Sequence, residues 1–269
     1  MKQELIDDHY FRVEVLSKTE RPNLLSYLAL HQCYAEGSAV DDLDKLSKLS
    51  EAELGRRVVD KCIKFGHYSV IEAPAISFNV IGFPHNVMVQ ATRHRHISFS
   101  VKSQRYTCER VLKLAQELVE CTREKCIDDA DYDATVEELS NKIQSVFYFR
   151  PLGFYLDRQG NKYEYNELHL QNDISQVWTA LEHYYYNVKT AGYAPEHARD
   201  FLPQNIRQDF VMSMNARSLL HFCDLRLPYD AQLEIRTLAT MMFEHFGQWM
   251  PSVAEWYEKN RAGRNKLSP

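Results

Sequence analysis

The sequence predicts an α+β protein. Short segments in which apolar and polar residues alternate stand among longer segments whose apolar residues recur every three to four positions. The 269 residues, 45% hydrophobic and 26% charged, are enough to bury a substantial core. No internal repeat or low-complexity linker divides the chain. One integrated domain over residues 1–258 is therefore expected, followed by a polar, basic tail at 259–269.

Residues Phe11–Leu16 alternate weakly and predict a first strand. Pro22, tolerated in a first helical turn, opens an apolar helix to Tyr34, and Gly37–Asp42 reads as a loop. Leu43, Leu46, Leu49, Leu54, Val58, Val59 and Cys62 are helically spaced over Asp42–Phe65, with a break expected at Ser47–Ser50 and a C-cap at Gly66. Ile76, Phe78 and Val80 alternate in a second strand, Ala75–Ile81, which Gly82 is expected to end. Pro84 starts a short helix to about His94, and Phe99–Gln104 looks less regular.

A helix over Thr107–Glu120 places Val111, Leu112, Ala115 and Leu118 on one face. An acidic linker at Cys126–Asp133, a short helix near Thr135–Val146 and a turn-rich aromatic insert, Phe149–Tyr165, come next; the insert, with Arg158, reads either as a pocket modifier or as a surface hairpin. Helices at Ile174–Thr190 and Pro195–Leu202, a strand at Gln208–Met214 and helices at Ala216–Cys223 and Asp230–Phe246 complete the chain.

The formal net charge of -5 argues against a globally basic, nucleic-acid-binding surface. The acidic N-terminus lacks the apolar run of a secretory signal, and no stretch reaches the roughly 18 apolar residues of a membrane span. Cytoplasmic residence without membrane attachment is expected. Six cysteines, at 33, 62, 108, 121, 126 and 223, form no C-x-x-C pair, so free thiols are expected and a metal site is not.

Chemistry concentrates between Arg93 and Tyr106, where three arginines, one lysine, two histidines and three serines occur within fourteen residues. Guanidinium groups offer rigid paired donors to phosphate, and hydroxyls complete an oxygen shell. Composition alone leaves a solvated basic face as an equal alternative.

The spacing is more specific than the composition. Arg93-His94-Arg95, seven intervening residues and Ser103 resemble the signature of the flavin-dependent thymidylate synthases, and Ser98, Arg105 and Tyr106 extend the match. Gly66–Glu72 resembles that family's upstream Gly-His segment, and Gln90 stands where the family places a substrate-contacting glutamine. Arg199–Pro203 resembles its Arg-x-x-Leu-Pro segment, and Asn215–Leu219 with Asp224–Arg226 resembles the segment that finishes the flavin and pyrimidine sites. The matches cover about Gly66 to Arg236, in the family's order.

The resemblance implies a central mixed or antiparallel sheet flanked by helices, a homotetramer with sites shared between subunits, and FAD held by His67, Ser69, Arg93, His94, Arg95, Asn215, Arg217 and His221. It implies that Ser103, Gln104, Arg105 and Arg199 cradle a nucleotide phosphate, that Gln90 and Arg226 contact the pyrimidine, and that Ser103 and Arg226 take part in catalysis. The implied reaction is C5 methylation of dUMP, with methylenetetrahydrofolate as carbon donor and NADPH as reductant. No cysteine sits in the Pro-Cys-His setting of the classical, unrelated synthases.

Read singly, Asn215 is a simple helix N-cap, Arg199 a surface cation and His67 a cap or core-edge residue, while His96 and Lys102 are additions that face solvent. Val101 stands where the family has an acidic residue, Gln104 where it has glycine, Ala73 where a histidine is usual and His221 where asparagine is frequent. These departures leave two alternatives: a methylase of UMP or another pyrimidine nucleotide in specialised metabolism, and a catalytically silent nucleotide-binding homologue.

Overall fold

The structure is a computed structural model that describes residues 5–123, 129–157 and 159–263; the side chains of 122, 123 and 129–136 are not described. Cys126, Arg158, most of the tail and the first part of the acidic linker lie outside the described residues. The α+β class holds. The chain forms two compact units, one of Met1–Phe11, Ile81–Val89 and Val101–Asp209, the other of Arg12–Val80, Gln90–Ser100 and Phe210–Pro269.

Strands β1 (Arg12–Lys18), β2 (Ala75–Pro84), β3 (Ser98–Val101) and β6 (Arg207–Asn215) form a sheet of order β1-β2-β6-β3, most of whose residues belong to the second unit. Alternation places Ile76, Phe78 and Val80 of β2 and Phe210, Met212 and Met214 of β6 in the core. On the other face, the hydroxyls of Ser77 and Ser213 meet at 2.8 Å. Helices α1 (Pro22–Tyr34), α2 (Leu43–Ser47), α3 (Glu51–Lys61), α9 (Ala216–Arg226), α10 (Leu233–Trp249) and α11 (Pro251–Asn260) belong to the same unit. The expected break at Ser47–Ser50 is present: the Ser50 hydroxyl accepts from the Glu53 N–H at 3.1 Å and starts α3 afresh. Gly66, at φ 83°, closes the following 3₁₀ turn as expected.

The first unit is built on α5 (Glu109–Arg123), α6 (Asp129–Val146) and α7 (Glu167–Lys189), with short α8 (Pro195–Ala198) and a hairpin of β4 (Gly153–Leu156) and β5 (Lys162–Tyr165). Leu114, Leu118, Ile143, Phe147, Leu181 and Ile206 lie at the centre of its apolar core. The aromatic insert is thus a two-stranded hairpin, with Phe154 and Tyr163 exposed.

Several expectations are corrected. Gly82 does not end β2, which continues to Pro84. At φ 76° it takes a left-handed conformation, and a Cβ there would lie 2.2 Å from the Tyr10 carbonyl oxygen. Its N–H donates to Asp209 Oδ1 at 3.0 Å and its carbonyl accepts from Arg207 at 2.9 Å, so side chains serve this glycine's backbone and let the strand pass through it. The helix after Pro84, α4 (His85–Ala91), stops three residues before His94.

The segment Phe99–Gln104, read as less regular, begins inside the edge strand β3, Ser98–Val101, where small polar and apolar residues alternate. Helix α7 begins at Glu167 rather than Ile174 because Asn166 accepts from the His169 N–H and His169 caps in return. Helix α6 begins within the segment read as a linker. Helix α11 was not anticipated; it reaches into the segment read as a tail, buries Val253, Ala254 and Tyr257, and is followed by Arg261, whose guanidinium grips Asp224 at 2.8 Å. No helix among the described residues is long and apolar enough to cross a membrane.

Candidate functional site

The Arg-His-Arg run occupies the turn between α4 and β3, and its three side chains divide by burial. Arg93 and Arg95 are exposed, without an ion pair among the described residues, whereas His94 is only 5% exposed. His94 packs against Phe222 (ring centroids 4.7 Å) and edge-on against His221 (5.7 Å), both from α9. Arg226, the last residue of α9, donates from Nε to His94 Nε2 at 3.0 Å and from Nη2 to the Gln90 carbonyl at 3.1 Å.

These contacts fix the imidazole's chemistry. Because Nε2 accepts from a guanidinium, His94 is neutral and carries its proton on Nδ1. Burial, then the charge of Arg226, then His221 lower its pKa to about 4. Burial also lowers that of His221. Both Nδ1 atoms are buried and meet no hydrogen-bonding partner among the described residues. Among the described residues Arg226 bonds only neutral acceptors, and burial together with nearby Arg93 lowers its own pKa. The site therefore concentrates positive charge and unused N–H donors, an environment that favours an electron-rich or anionic ligand.

Asn215 caps α9, its Oδ1 accepting from the Ser218 N–H at 2.8 Å, which is the simple N-cap role. Arg217, on the first turn of α9, pairs with Glu72. His67 and Ser69 are exposed, and none of their hydrogen bonds or ring contacts reaches His94, His221 or Arg226. Instead, His67 meets Tyr34 edge-on at 6.1 Å and lines a cavity of about 440 Å³ with Tyr27, Leu30, His31, Lys61 and Phe65.

The residues expected at the phosphate lie in the first unit. Ser103 organises a tight turn. Its carbonyl accepts from the Thr107 N–H (2.9 Å) and hydroxyl (2.7 Å), and its own hydroxyl accepts from the Arg105 N–H at 3.3 Å. Arg105 donates from Nε to the Glu196 carboxylate at 2.9 Å, and Arg199 donates to the Glu196 carbonyl at 3.2 Å. One residue thus links both cations. Half-buried Gln104 lies on the same turn.

Lys102 does not simply face solvent. Its ammonium pairs with Asp209 at 3.0 Å and its N–H donates to the Asp209 carbonyl at 2.9 Å, which ties the start of the turn to β6. Burial works against the ionised Asp209, but the Lys102 bond, the Gly82 N–H and nearby Arg110 outweigh it and lower its pKa.

Sequence reasoning gave no role to Glu196, Asp209, Gln232, Glu234 or Arg261, and named Asp224 only as part of a matched segment. Gln232 accepts from Gln90 Nε2 at 2.6 Å and donates to Glu234 at 2.7 Å, and Glu234 is 1% exposed. Asp224 accepts from Tyr257 and Arg261. A usable signal was present at Gln232-Leu233-Glu234-Ile235-Arg236, where polar groups interrupt the core-facing start of a helix.

The family model described as "Thymidylate synthase complementing protein" matches residues 14–252. The flavin-dependent thymidylate synthase of Haloarcula marismortui is 30% identical over 270 residues, covering 96% of this chain and 99% of the relative. That of Halobacterium salinarum is 28% identical over 277 residues, covering 96% and 100%. Among solved structures, the Helicobacter pylori enzyme complexed with FAD and dUMP superposes with TM-score 0.63 at 19% identity, covering 89% of this chain and 97% of that one. The UMP/dUMP methylase PolB of Streptomyces cacaoi bound with 5-Br dUMP superposes with TM-score 0.67 at 22% identity, covering 99% and 100%. The motif order, the fold and a family match that spans most of the chain agree: this protein belongs to the flavin-dependent thymidylate synthase family.

Proposed function

We propose that the chain catalyses flavin-dependent methylation at C5 of dUMP to give dTMP, taking carbon from methylenetetrahydrofolate and reducing equivalents from NADPH. The observation that carries this reading is Arg226. It is a half-buried guanidinium held by an imidazole and a carbonyl, with no carboxylate partner among the described residues. Five N–H donors minus two engaged leaves three for a ligand. Negative charge that develops on a uracil ring as C5 becomes nucleophilic is stabilised by such a cation in partly dry surroundings.

The residues present also fit FAD. The unpartnered Nδ1 atoms of His94 and His221 and the exposed guanidiniums of Arg93 and Arg95 suit the carbonyl and phosphate oxygens of a flavin dinucleotide. Bound reduced flavin supplies the reducing equivalents. His94, held neutral by burial and by Arg226, keeps Nδ1–H as a fixed donor. Ser103, Gln104, Arg105 and Arg199 receive the phosphate, which displaces the Glu196 carboxylate from Arg105. Ser69, Asn215 and Arg217 complete the flavin site, and His67 presents its cavity to flavin or folate. A homotetramer lets these groups meet between subunits.

Purified protein should be yellow, or become so with FAD, and should form dTMP only with dUMP, methylenetetrahydrofolate and NADPH together. A colourless protein that FAD cannot reconstitute would sink the proposal. Val101, half-buried at the end of β3 where an acidic residue is usual, favours UMP as the second reading, and a paired assay with both nucleotides decides between them.

A further inference from the structure

Arg105 and Arg199 meet the same residue in different ways. Arg199 donates from Nε to the backbone carbonyl of Glu196 at 3.2 Å, a neutral acceptor. Arg105 donates from Nε to the Glu196 carboxylate at 2.9 Å, its one ion pair among the described residues. The Arg105 guanidinium also lies over the Tyr106 ring, 5.5 Å from its centroid. One cation is thus aimed by Glu196 and the other is covered by it.

Glu196 cannot leave this site. Its backbone is fixed in α8, a single turn that Pro195 opens and in which the His197 and Ala198 N–H groups donate to the Ala194 carbonyl. Only the side chain can turn away. The Arg105 and Glu196 side chains are 52% and 37% exposed, so the carboxylate can swing into water without uncovering core. A pair this exposed is weak, worth up to about fivefold in an equilibrium. A phosphate monoester brings a second charge and offers three oxygens to both arginines together, so it displaces the carboxylate.

From this geometry we infer that Glu196 is an internal competitor for the nucleotide's phosphate, holding Arg105 whenever the phosphate is absent and weakening the hold on substrate and product alike. The inference rests on the reading that Arg105 and Arg199 receive that phosphate. When Arg105 is open in only a fraction of the molecules, the apparent dissociation constant rises by the inverse of that fraction. Substrate and product of a C5 methylation carry the same phosphate, so one carboxylate loosens both. It returns to Arg105 as the product departs.

The test measures dUMP binding to FAD-loaded protein, by calorimetry, for the parent, Glu196→Gln, Arg105→Ala and the double variant. Glu196→Gln keeps the side chain's shape and the backbone carbonyl that Arg199 uses, and removes only the charge. It should tighten dUMP binding about fivefold. In the Arg105→Ala background the same substitution should tighten it by less than about twofold, because the competitor has lost its seat. Glu196→Ala, which also keeps the backbone carbonyl, serves instead if Glu196→Gln fails to melt cooperatively. Unchanged or weaker dUMP binding by the Glu196 variant overturns the inference. Equal tightening in both backgrounds overturns it too, since the charge would then act as a general field and not through Arg105. If Arg105→Ala binds dUMP as tightly as the parent, Arg105 does not meet the phosphate, and the underlying reading falls together with the inference.

Discussion

Lowering the pH from 7.5 to 5 puts a direct load on the imidazole between the two signature arginines. His94 has an ordinary pKa of 6.5 and sits near 4 in the fold, through burial first, then the charge of Arg226, then His221. For a base whose folded value is depressed, the sign runs one way. Above about pH 6.5 the imidazole is neutral in folded and unfolded chains alike, and stability is unaffected. As the pH falls below that, the unfolded chain takes up a proton that the fold refuses, and stability drops until about pH 4, where both states bind it. At about 1.4 kcal/mol per pH unit the full loss is about 3 kcal/mol, of which about 2 kcal/mol is felt at pH 5.

The assay is urea unfolding at pH 7.5 and 5, at one protein concentration because assembly shifts apparent stability, on the parent and on His94→Gln. Glutamine can still accept from Arg226 but cannot titrate. The parent should lose about 2 kcal/mol more than the variant across that interval. His221, also lowered, is present in both proteins and cancels. Equal losses, within about 0.5 kcal/mol, would refute the neutral, buried His94.

Arg207→Met should destabilise the protein by about 3–5 kcal/mol, because it strands Asp8, only 10% exposed, and frees the carbonyls of Gly82 and Gln144; a urea midpoint close to the parent's would contradict this. Arg105→Ala should raise KM for the nucleotide about tenfold with kcat little changed, since a phosphate contact serves ground and transition states alike; steady-state kinetics on FAD-loaded enzyme decides. Arg226→Lys should lower kcat by about tenfold or more, because an ammonium cannot hold His94 and the Gln90 carbonyl while leaving planar donors for the ring; an unchanged kcat would remove Arg226 from catalysis.

What the sequence made legible was local. Pro22, Ser50 and Gly66 mark their helix ends through their own backbone preferences, and β2 and β6 announce themselves by two-residue alternation. The failures occur where a distant group overrides the local signal. Gly82 looks like a stop, yet Asp209 and Arg207, more than a hundred residues later, satisfy its backbone and carry the strand through. The first turns of α7 hold two leucines, Leu168 and Leu170, at a spacing of two rather than three or four, so no helical period reveals them; a reciprocal cap between Asn166 and His169 starts the helix instead. Helix α11 was hidden for a similar reason, since its buried Val253, Ala254 and Tyr257 are flanked by a charged tail whose Arg261 is held by Asp224.

The site divides along the same line. Arg93, His94, Arg95 and Ser103 could be found because they are close in sequence at a fixed spacing, whereas the groups that set their behaviour come from elsewhere in the chain. Spacing could not show that His94 turns inward while its neighbours turn outward, because that depends on Phe222 and His221 offering a pocket and Arg226 offering a donor. Nor could it show that the Gln90 side-chain amide meets that of Gln232, 142 residues away in sequence, which in turn bonds Glu234. A motif therefore names candidates for ligand contact. What such a group can offer depends on its protonation, and for His94 that is set by partners on α9: Phe222 and His221, which bury it, and Arg226, whose guanidinium donates to Nε2.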